Sequence, residues 1–427
     1  MRIAIKTFGC KANSTDSDAL FLEAKRRGYE IVDENASADA YVINTCTVTE
    51  NADRDARHQA NRFKRQNQGA LVAMVGCYAQ VAKDSLVQLP EVDFVVGTAN
   101  KFKVLDHFER AFKNEFLSKD QVEPAKGFLP EQFPGSRYAR ATIKVQDGCN
   151  YRCSFCIIPE ARGRSRSLPI DIIENQVVQA YREGFKEVVL TGIHLAHYGW
   201  DQNTDLVELV KRLLKIDGPR VRLSSLDPFE IPAELLELFK THEKFCPHFH
   251  IALQSGSDSV LSGMRRIYQA KEFVEITHKI NSLRPDTFIG VDVIVGFPGE
   301  GEKEFQETID CLNQSYWTKL HVFSFSARKG TSAASFDRKV PDNIIAERSE
   351  VLRKLSDKTY LNFMNSQIGK TKKVILERPS KKHPNVWLGH TDNYLSTYTL
   401  INPAHAKMEV TCEVFKIDGD RVWTTLK

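Results

Sequence analysis

Cys149-Asn150-Tyr151-Arg152-Cys153-Ser154-Phe155-Cys156 is a C-x3-C-x2-C triplet set directly after the apolar stretch Ala141–Val145. Three thiolates on one loop can bind three irons of a [4Fe–4S] cube and leave the fourth iron without a protein ligand. An open iron can chelate a cofactor, much as an open position makes a zinc site catalytic. A structural zinc would want a fourth Cys or His close by, and none follows in the sequence. The triplet therefore predicts a loop at the end of a strand, built around a cluster with one vacant corner.

Working outward, apolar strands are predicted at Ala141–Val145, Glu187–Leu190, Arg220–Ser224, Phe249–Leu253, Phe288–Val295 and Lys319–Phe325, with helical stretches between them. Six such units suggest a partial or full (β/α) barrel over residues 138–365. Residues 1–118 carry a second β-α-β-α pattern, with strands Arg2–Phe8, Ala40–Asn44, Ala70–Gly76 and one near Val92–Val96, which predicts a parallel α/β sheet domain. Residues 119–137, rich in proline and glycine, read as a linker. From residue 366 to 427 the period shortens to strand alternation, with an Asp418-Gly419 turn, which predicts a small antiparallel β-barrel.

Composition agrees with a soluble α/β chain. Of 427 residues, 42% are hydrophobic and 27% charged, which excludes wholesale disorder. No apolar run approaches the ~18 residues of a membrane span, and no export signal opens the chain, so a cytoplasmic, membrane-free protein is expected. The formal net charge is +4. Ten Lys/Arg against six Asp/Glu between Ser366 and Lys427 place that surplus in the tail, a hint of a polyanionic partner. Nine cysteines in such a compartment argue for metal or redox chemistry rather than disulfides.

A second trio is dispersed. Cys10, Cys46 and Cys77 each fall just past the carboxyl end of a predicted parallel strand. In an open α/β sheet those ends share one edge, where loops converge on a ligand. Cysteines 36 and 31 residues apart can thus meet and hold a second iron–sulfur cluster; three unrelated core thiols are the alternative. Cys246, Cys311 and Cys412 have no spacing partners.

The triplet, with Phe155 before its last cysteine, resembles the radical S-adenosylmethionine enzymes. Together with the N-terminal trio and the tail it is similar to the methylthiotransferase family. Further shared stretches are Gln146-Asp147-Gly148-Cys149, Ile158-Pro159-Glu160-Ala161-Arg162-Gly163, Leu253-Gln254-Ser255-Gly256-Ser257, Met264-Arg265-Arg266 and Val295-Gly296-Phe297-Pro298-Gly299-Glu300. Ser326–Thr331 also corresponds, with Ala327 and Lys329 where the family often has proline. The tail resembles a TRAM domain, an RNA-binding β-barrel. Gly9-Cys10-Lys11-Ala12-Asn13 and Gly389–Tyr394 look most like the branch acting on N6-threonylcarbamoyladenosine in tRNA.

The resemblance implies two [4Fe–4S] clusters and S-adenosylmethionine. Cys149, Cys153 and Cys156 would generate the radical, Cys10, Cys46 and Cys77 would donate sulfur, and the backbone at Phe155 would lie along the adenine. The substrate would be the anticodon stem-loop of a tRNA, methylthiolated at C2 of the modified adenine at position 37, with flavodoxin or ferredoxin as electron donor. An isopentenyladenosine tRNA or a ribosomal protein is the alternative acceptor. A non-catalytic iron–sulfur RNA-binding protein is the alternative of another class. Residues at strand ends, Gly192, Ser225, Gln254 and Gly296, are candidate cofactor contacts, since loops there face the ligand. His248 and His250 alternate on one strand and read as satisfied polar residues at the barrel mouth. Arg162, Arg164 and Arg166, the helix set Arg54, Arg57, Arg62, Lys64 and Arg65, and tail lysines 370, 372, 373, 381 and 382 with Trp387 and Tyr394 are candidate RNA contacts.

Overall fold

The computed structural model describes residues 1–126 and 129–427. Strands Arg2–Thr7, Ala40–Thr45, Leu71–Gly76 and Phe94–Val96 pair in parallel, as their β-branched runs and intervening amphipathic helices require. Two short edge strands, Glu30–Ile31 and Asp120–Gln121, complete a six-stranded sheet. The second of these departs from the expected linker. Val95 donates to the Lys119 carbonyl at 2.9 Å, so the chain first closes the sheet edge before crossing over. Residues 127 and 128 of that linker lie outside the described residues.

The second unit holds two parallel sheets. Strands Ala141–Lys144, Glu187–Thr191 and Arg220–Leu223 form one; Ser225–Leu226, His248–Gln254, Phe288–Val295 and Lys319–Ser324 form the other. Together they make an incomplete barrel whose outer face is one large apolar cluster under the helices. The Asp342–Asn365 helix covers its last strand and leads into the tail. There, five strands, Thr371–Pro379, Val386–Thr391, Ser396–Leu400, Glu409–Asp418 and Arg421–Leu426, close a small barrel. Its core residues Leu395, Val414 and Val422 pack with Phe288 of the central barrel. Among the described residues no helix is long and apolar enough to cross a membrane.

Candidate active site

The triplet loop is fastened from behind. Ser154 donates from N to the Met264 carbonyl (3.1 Å) and from Oγ to Gly263 (2.7 Å), and its own carbonyl receives Ala333 N–H at 2.8 Å. Phe155 packs half-buried with Val260, Met264, Phe297 and Ala333, so the ring's observed role is to seat the loop. The three sulfurs lie near enough to repel one another as thiolates. Burial, then the neighbouring Cys153 and Cys149, pushes the Cys156 thiol up to about 12. Opposing this, Arg266 donates to Cys153 Sγ at 3.2 Å, and His194 Nδ1 lies 3.7 Å from Cys149 Sγ.

His194 belongs to a wider polar group. Its Nε2 sits 2.6 Å from Glu230 and 3.4 Å from Asp227, while Tyr151 donates to Glu230 at 2.9 Å. Burial opposes protonation of His194, but bonds to Asp227, Cys149 and Glu230 outweigh it and raise its pKa to about 11. Arg266 pairs with Asp227. Cations and carboxylates thus line the rim of the triplet in matched sets.

The dispersed trio does converge. Cys10 precedes the Lys11–Arg26 helix, Cys46 follows strand Ala40–Thr45, and Cys77 follows Leu71–Gly76. Gly9, at φ +96°, lets the first two loops touch: a Cβ there would fall 2.7 Å from Cys46 Sγ and 2.5 Å from its Cβ. Burial, then Cys77 and Cys10, pushes the Cys46 thiol up to about 12. Cys46 and Cys77 are buried and Cys10 is exposed, so the trio opens on the Cys10 side.

Arg162 joins the two trios, and sequence reading misplaced it. Rather than meeting phosphate, it is fully buried at the end of a short helix that follows the triplet loop. Its Nε donates to Cys77 Sγ (3.2 Å), one terminal nitrogen forks onto Asp147 (2.9 and 3.0 Å), and the other reaches Asn13 and Asp16. Lys101 and Lys144 also bind Asp16, the former at 2.5 Å. Three cations and two carboxylates are thereby buried together, and Arg162 turns its remaining edge to the Cys77 sulfur. Burial holds the free Cys77 thiol above its ordinary pKa while Arg162 and Lys101 oppose it. Metal ligation, which removes the thiol proton outright, satisfies that arrangement. Both trios therefore fit thiolate-ligated iron, and each gathers three sulfurs with the scattered Cys246, Cys311 and Cys412 elsewhere in the fold.

The strand-end candidates divide. Ser225 Oγ contacts His250 Nδ1 at 3.1 Å, and Gln254 ends its strand half-buried at φ +63°. Gly192 stands against the Gln146 side chain, and Gly296 (φ +83°) lies under Ile345, where a Cβ would meet Cγ1 at 2.4 Å. Gly296 is thus favoured by its positive φ and by the contact with Ile345, while Gly192 sits tightly against the Gln146 side chain. His250 has partners that the sequence did not pair with it: its Nε2 lies 2.8 Å from Asp292 Oδ1, which His321 Nδ1 approaches at 3.2 Å. His248 is buried instead, stacked on Phe288 and beside Tyr394. Of the helix set, Arg57 binds the Tyr78 hydroxyl and Lys64 pairs with Asp93, leaving Arg54, Arg62 and Arg65 exposed. In the tail, Lys370 and Lys372 pair with Asp286, and Trp387 packs on the barrel core. A further aromatic group, His383, Tyr398 and Trp423, clusters at 5.1–5.4 Å beside Arg421.

Residues 2–97 match the family described as "Uncharacterized protein family UPF0004", and residues 143–312 match the Radical SAM superfamily. Over 88% of this chain and 93% of the relative, the sequence is 41% identical to "Threonylcarbamoyladenosine tRNA methylthiotransferase MtaB" of Aquifex aeolicus. The protein of that name in Bacillus subtilis is 36% identical over 92% and 89%. The chain belongs to the radical S-adenosylmethionine methylthiotransferase family. Membership makes it an enzyme and brings a [4Fe–4S] cluster and S-adenosylmethionine. A "tRNA-2-methylthio-N(6)-dimethylallyladenosine synthase" of Fusobacterium nucleatum, 32% identical over 91% of each chain, is similar as well. Among solved structures, the radical S-adenosylmethionine methyltransferase TsrM of Kitasatospora setae shares the fold of this methylthiotransferase, with TM-score 0.56 and 15% identity over 75% of this chain and 72% of that one.

Proposed function

We propose that this enzyme methylthiolates C2 of N6-threonylcarbamoyladenosine at position 37 of tRNA, using two [4Fe–4S] clusters. Cys149, Cys153 and Cys156 would hold the cluster that binds S-adenosylmethionine; Cys10, Cys46 and Cys77 would hold the one that presents sulfur. When bound, these groups supply a hydrogen-abstracting radical and a positioned sulfur, which an inert sp2 C–H bond requires. The chain's own residues orient and charge-balance both sites. Arg266 faces Cys153, Arg162 faces Cys77, and Gly9 lets the Cys10 and Cys46 loops close. The observation that carries the reading is the Arg162 bridge, because it ties the triplet loop to the dispersed trio through one buried set of charges. The names borne by the more similar relatives support this choice of substrate. An external electron donor such as flavodoxin or ferredoxin completes the reaction.

The test is anaerobic turnover of an anticodon stem-loop carrying the modified base, with nucleosides weighed by mass spectrometry. Cys153→Ala should abolish both 5′-deoxyadenosine and product. Cys46→Ala should abolish the methylthio product while retaining 5′-deoxyadenosine. Normal methylthiolation by the Cys46 variant would overturn the division between the two trios.

A further inference from the structure

Beside Cys10 lies a cavity of about 230 Å³ where all three units of the chain meet. Cys10 and Lys11 come from the N-terminal unit, Arg140, Thr142 and Val189 from the barrel, and Tyr394 from the tail. These include parts of the two stretches, Gly9–Asn13 and Gly389–Tyr394, whose wording marks the branch of the family. Separated by nearly the whole chain, they form one wall. Cations crowd it: Lys11 Nζ, Arg140 and Arg222 lie 5.9, 5.2 and 4.9 Å from the centre of the Tyr394 ring. Glu187 and Glu377 balance the two arginines. Lys11 has no carboxylate within ion-pair distance among the described residues, and Arg140 Nε is a buried donor without a partner. A cavity with surplus positive charge and spare donors is built for an anion.

We propose that this cavity reads the carboxylate of the substrate's N6 side group, with Lys11 as its counter-ion and Arg140 as a second donor. The proposal rests on the assignment of threonylcarbamoyladenosine above and makes Lys11 and Arg140 its specificity-determining residues. The same anion chemistry could come from an RNA phosphate. The end of a side group suits a cavity walled by a helix, two strands and a turn, whereas a backbone phosphate must continue on both sides. Its position also suits the chemistry. The side group leaves C6 of the adenine, which is bonded to N1 and one ring atom away from C2, so a carboxylate held beside Cys10 keeps C2 within a side group's length of that residue.

The experiment compares two anticodon stem-loop RNAs: one with the natural side group, one with its carboxylate replaced by the uncharged, equally sized carboxamide. Wild-type enzyme should show kcat/KM at least tenfold lower on the carboxamide, since a site built for a charged group is left unpaired by a neutral one. Lys11→Met should bring the ratio to within about twofold of one, and Lys11→Arg should restore most of it. Iron content measured in parallel reports whether the neighbouring Cys10 site is intact. Equal rates of the wild type on both RNAs would overturn the proposal without any variant. Equal losses on both RNAs in Lys11→Met would assign the lysine to phosphate and overturn it too. Turnover of neither RNA, with an isopentenyl-bearing RNA accepted instead, would sink the substrate reading and this inference with it.

Discussion

Replacing Arg162 by methionine should loosen the joint between the N-terminal sheet and the barrel while leaving the barrel intact. The side chain of Arg162 and those of Asp16 and Asp147 are essentially without solvent contact. Removing one partner from a buried ion network costs about 3–5 kcal/mol, because the charges left behind are uncompensated. Here Lys144 still lies 3.0 Å from Asp147, and Lys101 still binds Asp16, so the lower part of that range, about 3 kcal/mol, applies. At 1.4 kcal/mol per factor of ten, local opening should rise about a hundredfold. Hydrogen exchange by mass spectrometry reads this directly. The amides of Ser14 and Cys149, which bond to the Cys10 and Gly163 carbonyls, should exchange about a hundredfold faster. Amides in the barrel strand Phe288–Val295 should keep wild-type rates. Arg162→Lys should recover only part of the protection, since a point charge cannot serve Asp147, Asp16 and Cys77 together. Wild-type exchange at Ser14 and Cys149 in the methionine variant would refute the claim that this network joins the two units.

Two further outcomes are expected. Burial raises the folded-state Asp18 carboxyl to about 6 against the opposing Arg137 contact at 2.8 Å, so the charged form disfavours folding and stability from this group falls as pH rises from about 4 through 6; Asp18→Asn should therefore gain roughly 2–3 kcal/mol at pH 7.5 and nothing near pH 3.5, and a lower melting temperature at pH 7.5 would show the reverse. Trp423→Ala, which removes a ring 5.1 Å from Tyr398 and 5.2 Å from His383, should weaken anticodon stem-loop binding by about 1–3 kcal/mol per stacked base, and an unchanged Kd in filter binding would exclude this face as the RNA platform.

What was legible in the sequence was local or periodic. The triplet needs only eight consecutive residues, and the six barrel strands show as short β-branched runs whose observed limits differ by a residue or two. Cys10, Cys46 and Cys77 were legible through topology, because strand ends in a parallel sheet share one edge. What was not legible depends on pairs far apart in the chain. Arg162 looks like a surface arginine among Arg164 and Arg166 until Asp16, 146 residues away, is placed beside it. His250 reads as a solitary polar residue because Asp292 and His321 come from the next two strands. The in-register pairing of Asp292 with His321 is a weak signal available only once strand order is known. Tyr394 reads as an RNA-stacking ring, and the interior cations around it come from two other units.

The two junctions of the central barrel both carry ion pairs and differ in apolar contact. The tail shares an apolar cluster with it through Phe288, whereas the apolar clusters of the N-terminal sheet contain no barrel residue among those described. Among the described residues the N-terminal contacts are ionic and hydrogen-bonded, whereas the tail adds its apolar cluster to ion pairs such as Lys370–Asp286 and Glu409–Arg220. Besides the Arg162 set, Arg328 binds Asp53 and, at 2.7 Å, Thr47. An apolar face can slide by a fraction of an ångström at little cost; a buried guanidinium forked onto a carboxylate has one satisfied geometry. Under the proposed function, two sulfur trios addressing the same carbon atom need the second kind of joint. It also makes them mutually sensitive: a charge change at Cys77 acts on Arg162, and Arg162 grips Asp147, two residues before Cys149. Whatever ligates the dispersed trio therefore bears on the position of the triplet loop, through a path only one side chain long.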